Sequence, residues 1–167
     1  MRIYVDGRGL LQALAAGGSR AAVLGQQEQS RRNVARWLAR YAERQDCEVH
    51  LVFVSDPSDG VASPFERRGR VLRVNLPAGA DLVHEITGPA NRAAATERVT
   101  VVTSDARLLR ALERAPIRVL APADFVARVQ SALRGEPGDD GEPDEKFTGL
   151  SGEEVKYWLR FFQDEEK

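Results

Sequence analysis

One cysteine, one methionine and two histidines occur in 167 residues, and no lysine precedes residue 146. The lone Cys47 excludes an internal disulfide framework and any cysteine-based zinc cluster. His50 and His84 are too few for a zinc site of the usual histidine-rich kind. This thiol usage fits a reducing compartment, so a cytoplasmic protein is expected. No apolar run approaches the roughly 20 residues that a membrane span needs, and the opening MRIYVDG lacks the basic-then-apolar order of a signal peptide. No membrane partner is therefore expected. What remains, at 43% hydrophobic and 29% charged residues, is the composition of a globular domain of ordinary size with a short appendage.

The net charge of −1 hides an uneven distribution. Residues 1–134 carry twenty arginines against fourteen acids, and residues 135–167 carry four basic residues against eleven acids. A basic body suits a polyanionic partner, although the excess alone does not identify it. The stretch 135–146 (GEPGDDGEPDEK) has no apolar residue and reads as a flexible acidic linker. In the stretch after it, 147–167, Ser151 and Glu154 form a capping box, and Val155, Trp158, Leu159 and Phe162 make an apolar stripe at helical spacing. Such a helix is expected to dock on the protein's own body or on a protein partner, with Trp158 and Phe162 as anchors.

Within 1–134 the pattern alternates strands and helices. Residues 2–5 read as a buried first strand ending at an Asp6-Gly7 turn. Val34, Trp37, Leu38 and Tyr41 mark the core face of a helix over about 27–46. VHLVFV at 49–54 is a second strand. Two prolines, two aspartates and two glycines in 55–69 predict a long loop. A third strand at 71–75 leads to a helix from about 79 to a Gly88-Pro89 break, with another turn at 91–95. A fourth strand (VTVV, 99–102), a helix at 106–114, a fifth strand at 117–120 and a helix at 122–133 complete the domain. Continuous apolar strands alternating with helices indicate an α/β three-layer sandwich, Rossmann-like, with a mainly parallel five-stranded sheet. Ligands of such folds bind beyond the carboxyl ends of strands, where strand order reverses.

Acids stand at those places. Asp6 directly follows the first strand, and Asp105 follows the fourth in the run Thr103-Ser104-Asp105. Asp81 opens a helix, with Glu85 and His84 one turn on. Should the first and fourth strands be neighbours, Asp6 and Asp105 face one crevice. Clustered carboxylates repel unless a cation or an arginine neutralises them, and oxygen-only ligands suit Mg²⁺ or Mn²⁺. Each acid also has a plain structural use, as a turn residue, a helix-dipole partner or a cap. A phosphoacceptor receiver would need Asp and Lys where Asn75 and Ala121 stand. A dinucleotide fold would need G-x-G-x-x-G, and Gly7 and Gly9 are followed by Gln12.

The opening IYVDG, the helix start Ala80-Asp81 and the run Val101-Val102-Thr103-Ser104-Asp105 together resemble the YacP-like members of the NYN branch of the PIN-like ribonucleases, over roughly residues 1–130. The resemblance implies a metal-dependent endoribonuclease on a PIN-like fold. It assigns Asp6, Asp81 and Asp105 as catalytic and metal-binding, Mg²⁺ or Mn²⁺ as cofactor, and RNA, with the ribosome, as partner. Thr103 and Ser104 would support the acids through hydrogen bonds. The pattern differs at two places: relatives commonly continue as D-G-Y-N where this chain has Asp6-Gly7-Arg8-Gly9, and Asp81 is followed by Leu82 where a second acid is frequent. A catalytically weakened RNA- or ribosome-binding adaptor is the alternative.

Arginines supply the remaining candidates. Arg8 stands where it can contact substrate phosphate or pair with Asp6. Arg32, Arg36, Arg40 and Arg44 recur every four residues, forming one helical ridge that suits phosphate or a plain solvated face. Arg67, Arg68, Arg70 and Arg73 form a second basic cluster around the long loop.

Overall fold

The computed structural model describes residues 1–17, 28–55 and 63–134. The acidic linker and the aromatic C-terminal helix expected from the sequence lie outside the described residues. Those described form β1 (Arg2–Asp6), α1 (Gly7–Ala16), α2 (Glu28–Arg44), β2 (Glu48–Val54), β3 (Phe65–Arg68), β4 (Val71–Leu76), α3 (Leu82–Ala94), β5 (Val99–Val102), α4 (Ala106–Leu112), β6 (Arg118–Leu120) and α5 (Pro122–Leu133). They build an α/β sandwich around one six-stranded sheet of order β3-β4-β2-β1-β5-β6. All pairings are parallel except β3 with β4.

The strands that read as continuous apolar runs lie inside, because helices cover both faces. On one face Ile3, Val5, Val49, Leu51 and Phe53 meet Leu10 of α1, Val34, Leu38 and Tyr41 of α2, and Phe125 and Val129 of α5. Tyr41 and Phe125 meet edge-on with ring centroids 5.7 Å apart. On the other face Tyr4, Val52, Val99 and Val101 pack on Ile86, Ala90 and Ala93 of α3 and Leu108 and Leu112 of α4. Chain order runs outward from β1 through β2 to β4, then returns to β5 on the other side. The reversal of strand order therefore falls between β1 and β5.

Four expectations are corrected. Asp6-Gly7 is not a turn but the entry to α1, which starts without an intervening loop because the Asp6 side chain accepts hydrogen bonds from the N–H groups of Arg8 and Gly9. The sheet has six strands rather than five: Phe65–Arg68, inside the predicted loop, pairs antiparallel with β4 through a tight turn at Gly69, whose φ is +54°. Helix α3 begins at Leu82 and runs through Pro89 to Ala94. The N–H that Pro89 lacks would have served the carbonyl of Glu85, which lies on the exposed flank where water can replace it.

The fourth correction is Arg73, which does not join an exposed basic cluster. It alternates with Val71 and Asn75 on the buried side of β4 and is 2% exposed. Its guanidinium bridges Glu28 of α2 at 2.7 Å and Glu66 of β3 at 2.6 Å. A buried guanidinium needs such partners to offset its lost hydration. The ion pairs thereby tie the edge strand and the long helix to β4. Arg70 instead pairs with Asp46, and Arg67 and Arg68 are exposed on the edge strand.

Gly7 is dictated by close approach. A Cβ there would lie 2.3 Å from the ring of Phe53, which is itself buried and carries the Arg31 guanidinium on its face at 5.1 Å. Alanine would otherwise favour the helix by about 0.5–1 kcal/mol. Gly7→Ala should instead destabilise the protein by about 1–3 kcal/mol through overpacking, as read by urea unfolding. Phe53→Leu in the same chain should recover part of that loss, whereas strictly additive effects would show that the ring is not the obstacle.

Candidate active site

The three sequence-predicted acids share one local role, since Asp6, Asp81 and Asp105 are the N-caps of α1, α3 and α4. An aspartate before a helix satisfies backbone N–H groups that have no intrahelical partner. Asp6 is the buried member, 5% exposed. Its Oδ1 accepts from the N–H of Arg8 at 3.1 Å and of Gly9 at 3.2 Å. Its Oδ2 accepts from the Thr103 hydroxyl at 3.2 Å.

Thr103 joins the two sides of the strand reversal. Its Oγ1 donates to Asp6 and accepts the Asp105 N–H at 3.0 Å. The Asp105 carboxylate in turn accepts from the N–H groups of Arg107 at 2.8 Å and Leu108 at 3.1 Å. One buried hydroxyl thus connects the end of β1 to the start of α4, and Asp6 and Asp105 stand beside one another at the carboxyl edge of the sheet, the crevice expected at the strand reversal, because β1 and β5 are adjacent. Ser104, between them, is exposed.

Electrostatics follow from this placement. Burial pushes the Asp6 carboxyl above the usual aspartate value, and the negative charge of Asp105 adds to the effect. Hydrogen bonds from Gly9, Thr103 and Arg8 oppose it without cancelling it. Arg8 reaches Asp6 through its backbone, and its side chain is exposed at the rim. At Gly9 a Cβ would stand 3.0 Å from Asp6 Oδ2, so any side chain there would press on the carboxylate and require it to shift by a few tenths of an ångström.

Asp81 is placed differently. Its Oδ1 accepts from the Val83 N–H at 3.2 Å and from the Arg107 guanidinium at 3.3 Å. Among the described residues, no group of three or more His, Cys, Asp or Glu side chains is gathered closely enough to hold a metal ion. The pair Asp6 and Asp105 nonetheless fits Mg²⁺ or Mn²⁺ by chemistry. Both donors are hard oxygens, and such ions are commonly held by one or two carboxylates plus water and phosphate.

The other candidates lie apart. His84 and Glu85 are exposed on α3. His50 meets the Tyr4 ring at a tilt of 51° with centroids 4.8 Å apart, and burial holds its imidazole below the usual value. Arg32, Arg36, Arg40 and Arg44 form an exposed ridge on α2, in the layer opposite α3, and Arg32 is engaged by Glu28 at 2.8 Å. Arg107 was missed by the sequence reading. Its signal was its position two residues after Asp105, in the first turn of a helix facing the crevice.

Comparison with known proteins places this arrangement in a fold. No family model matches the chain, and no curated protein matches it. Two crystal structures of Rae1 (YacP) from Bacillus subtilis do. The first is 15% identical, covering 99% of this chain and 83% of that one with a TM-score of 0.61. The second, of a point mutant of that protein, is 17% identical, covering 80% and 77% with a TM-score of 0.60. The fold is thus the one that the IYVDG and TSD motifs implied. Among the described residues no helix is long and apolar enough to cross a membrane.

A raised Asp6 has a pH signature. The folded protein keeps this proton to higher pH than the unfolded chain, whose value is near 3.8. Over the interval above that value the native state binds more protons, so ionisation costs stability as pH rises. Asp6→Asn should therefore gain thermal stability relative to wild type as pH increases through and beyond the carboxylate range. A difference in melting temperature that stays constant across that range would contradict the assignment.

Proposed function

We propose that the protein is a metal-dependent endoribonuclease that hydrolyses RNA phosphodiester bonds in the cytoplasm, with ribosome-associated RNA as its substrate. The observation that supports this reading best is the Asp6–Thr103–Asp105 arrangement at the reversal of strand order. A plain cap needs neither a buried carboxylate nor a second acid beside it. In this reading Asp6 and Asp105 hold Mg²⁺ or Mn²⁺, which would supply an activated water and offset charge developing on the phosphate.

The chain's own groups have separable tasks. Thr103 fixes the Asp6 carboxylate through a hydrogen bond to Oδ2, leaving the two backbone donors on Oδ1. Helix α4 orients Asp105 through the N–H groups of Arg107 and Leu108. Asp81 completes the acidic set or orients the attacking water. Ser104 and Arg8, both exposed at the rim, meet the RNA backbone. Arg32, Arg36 and Arg40 provide a second, more distant contact for a long strand, since phosphate binding tolerates spacing that chemistry does not.

A second reading, a catalytically weakened RNA- or ribosome-binding adaptor, is favoured by one observation. The third acid is paired with Arg107 rather than gathered with the other two. A nuclease and an adaptor differ in their response to Asp105→Asn. This variant should stay folded, because removing a charge beside Asp6 relieves repulsion. For a nuclease it should abolish Mg²⁺- or Mn²⁺-dependent cleavage of RNA, and with it the rise in melting temperature that Mn²⁺ alone gives the wild type. Cleavage retained by the folded variant would refute the role of Asp105. RNA binding without cleavage by the wild type, with and without ribosomes, would select the adaptor.

A further inference from the structure

The Arg107–Asp81 pair carries an inference of its own, which rests on the reading of the crevice as an RNA site. Its atoms are 3.3 Å apart, and the side chains are 74% and 54% exposed. Pairs this open to water are weak, since solvent screens the attraction and two long side chains must be held in one geometry. The contact engages one N–H of a five-donor fork built to bind phosphate oxygens two at a time. The backbone of the same residue is not loose, because its N–H donates to Asp105 at 2.8 Å. Arg107 is therefore a fixed backbone point between two acids bearing a guanidinium whose partner is exchangeable.

Asp81 is equally poised. Both of its contacts fall on Oδ1, one of them from its own helix. It begins α3, which packs beside α4 on the same face of the sheet. From these observations we infer that Arg107 is a phosphate-binding residue and a latch on Asp81. An RNA phosphate entering the crevice takes the guanidinium, and the released Asp81 carboxylate turns toward Asp6 and Asp105. The incoming phosphate replaces the lost negative partner of Arg107, and the released carboxylate brings its charge to the acidic pair, where the Mg²⁺ or Mn²⁺ of the proposed function would offset it. The acidic set is then complete only when substrate is present, which keeps three carboxylates from crowding one another in the free protein.

The test uses the full chain, a labelled unstructured RNA oligonucleotide in EDTA, and Mn²⁺ alone in a separate titration followed by electron paramagnetic resonance. Arg107→Ala should weaken RNA binding and reduce the slope of log affinity against log salt by about 0.7, the value of one lost contact to single strands. Arg107→Lys should restore the slope and part of the affinity. Asp81→Asn should tighten RNA binding with the slope kept, and by more than Glu85→Gln, which removes an equal charge one turn along α3 without touching the latch. In the RNA-free titration Arg107→Ala should bind Mn²⁺ several-fold more tightly, and adding Asp81→Asn should erase that gain. An unchanged salt slope in Arg107→Ala, with wild-type RNA binding intact, would overturn the phosphate contact and leave the RNA reading standing. A Mn²⁺ gain that survives in the double variant would overturn the release of Asp81. Absence of RNA binding by the wild type would remove the RNA reading and the latch together.

Discussion

A carboxylate placed almost out of reach of water governs the crevice and much of the fold around it. Asp6 accepts three hydrogen bonds, two from the start of α1 and one from Thr103. Without them a buried charge could not be tolerated. Satisfying them imposes conditions on neighbours that have no chemistry of their own. Helix α1 must begin at once after β1, so Gly7 must pass the Phe53 ring. Gly9 must leave room for the carboxylate, and β5 must lie beside β1 so that a hydroxyl 97 residues away can reach it.

Since all three acids are N-caps, capping alone accounts for an aspartate at each place. What separates Asp6 and Asp105 from ordinary caps is the hydroxyl between them and the burial of Asp6. Asp81 has neither, and it takes an arginine instead. The arginines are likewise sorted by depth. Arg73 is internal and structural, Arg107 stands at the crevice, and the α2 ridge faces solvent on the other layer. A count of basic residues along the chain cannot distinguish these roles.

The parallel sheet and the crevice at the β1–β5 junction were legible because apolar runs without alternation require burial on both faces, and because acids stood directly after two of them. Helix α1 was not legible. Gly7 and Gly9 are poor helix formers, and the compensations, a side-chain cap and burial of Leu10, Leu11 and Ala15, are tertiary. Strand β3 escaped for a similar reason: FERR has no apolar alternation, and its pairing depends on β4 and on Glu66 reaching Arg73. That arginine had a readable signal, its parity with Val71 in a strand whose alternate positions are buried. A charged side chain at such a position implies partners, and Glu28 and Glu66 lie on other elements, out of view of local pattern. The Asp81–Arg107 pair spans two helices and has no trace in spacing.

The placement of β1 at the centre of the sheet has a consequence for how the protein is made. Strand β1 receives one flank from β2, but its other flank, β5, begins 97 residues after Arg2. Chains emerge at roughly 5–20 residues per second, so for several seconds Asp6 exists without Thr103 or Asp105. During that interval the nascent chain holds a lone, water-accessible carboxylate and an open sheet edge. The pairing that ends this state also brings Asp105 beside Asp6, which makes closure of the second flank of β1 and acquisition of the acidic pair a single event.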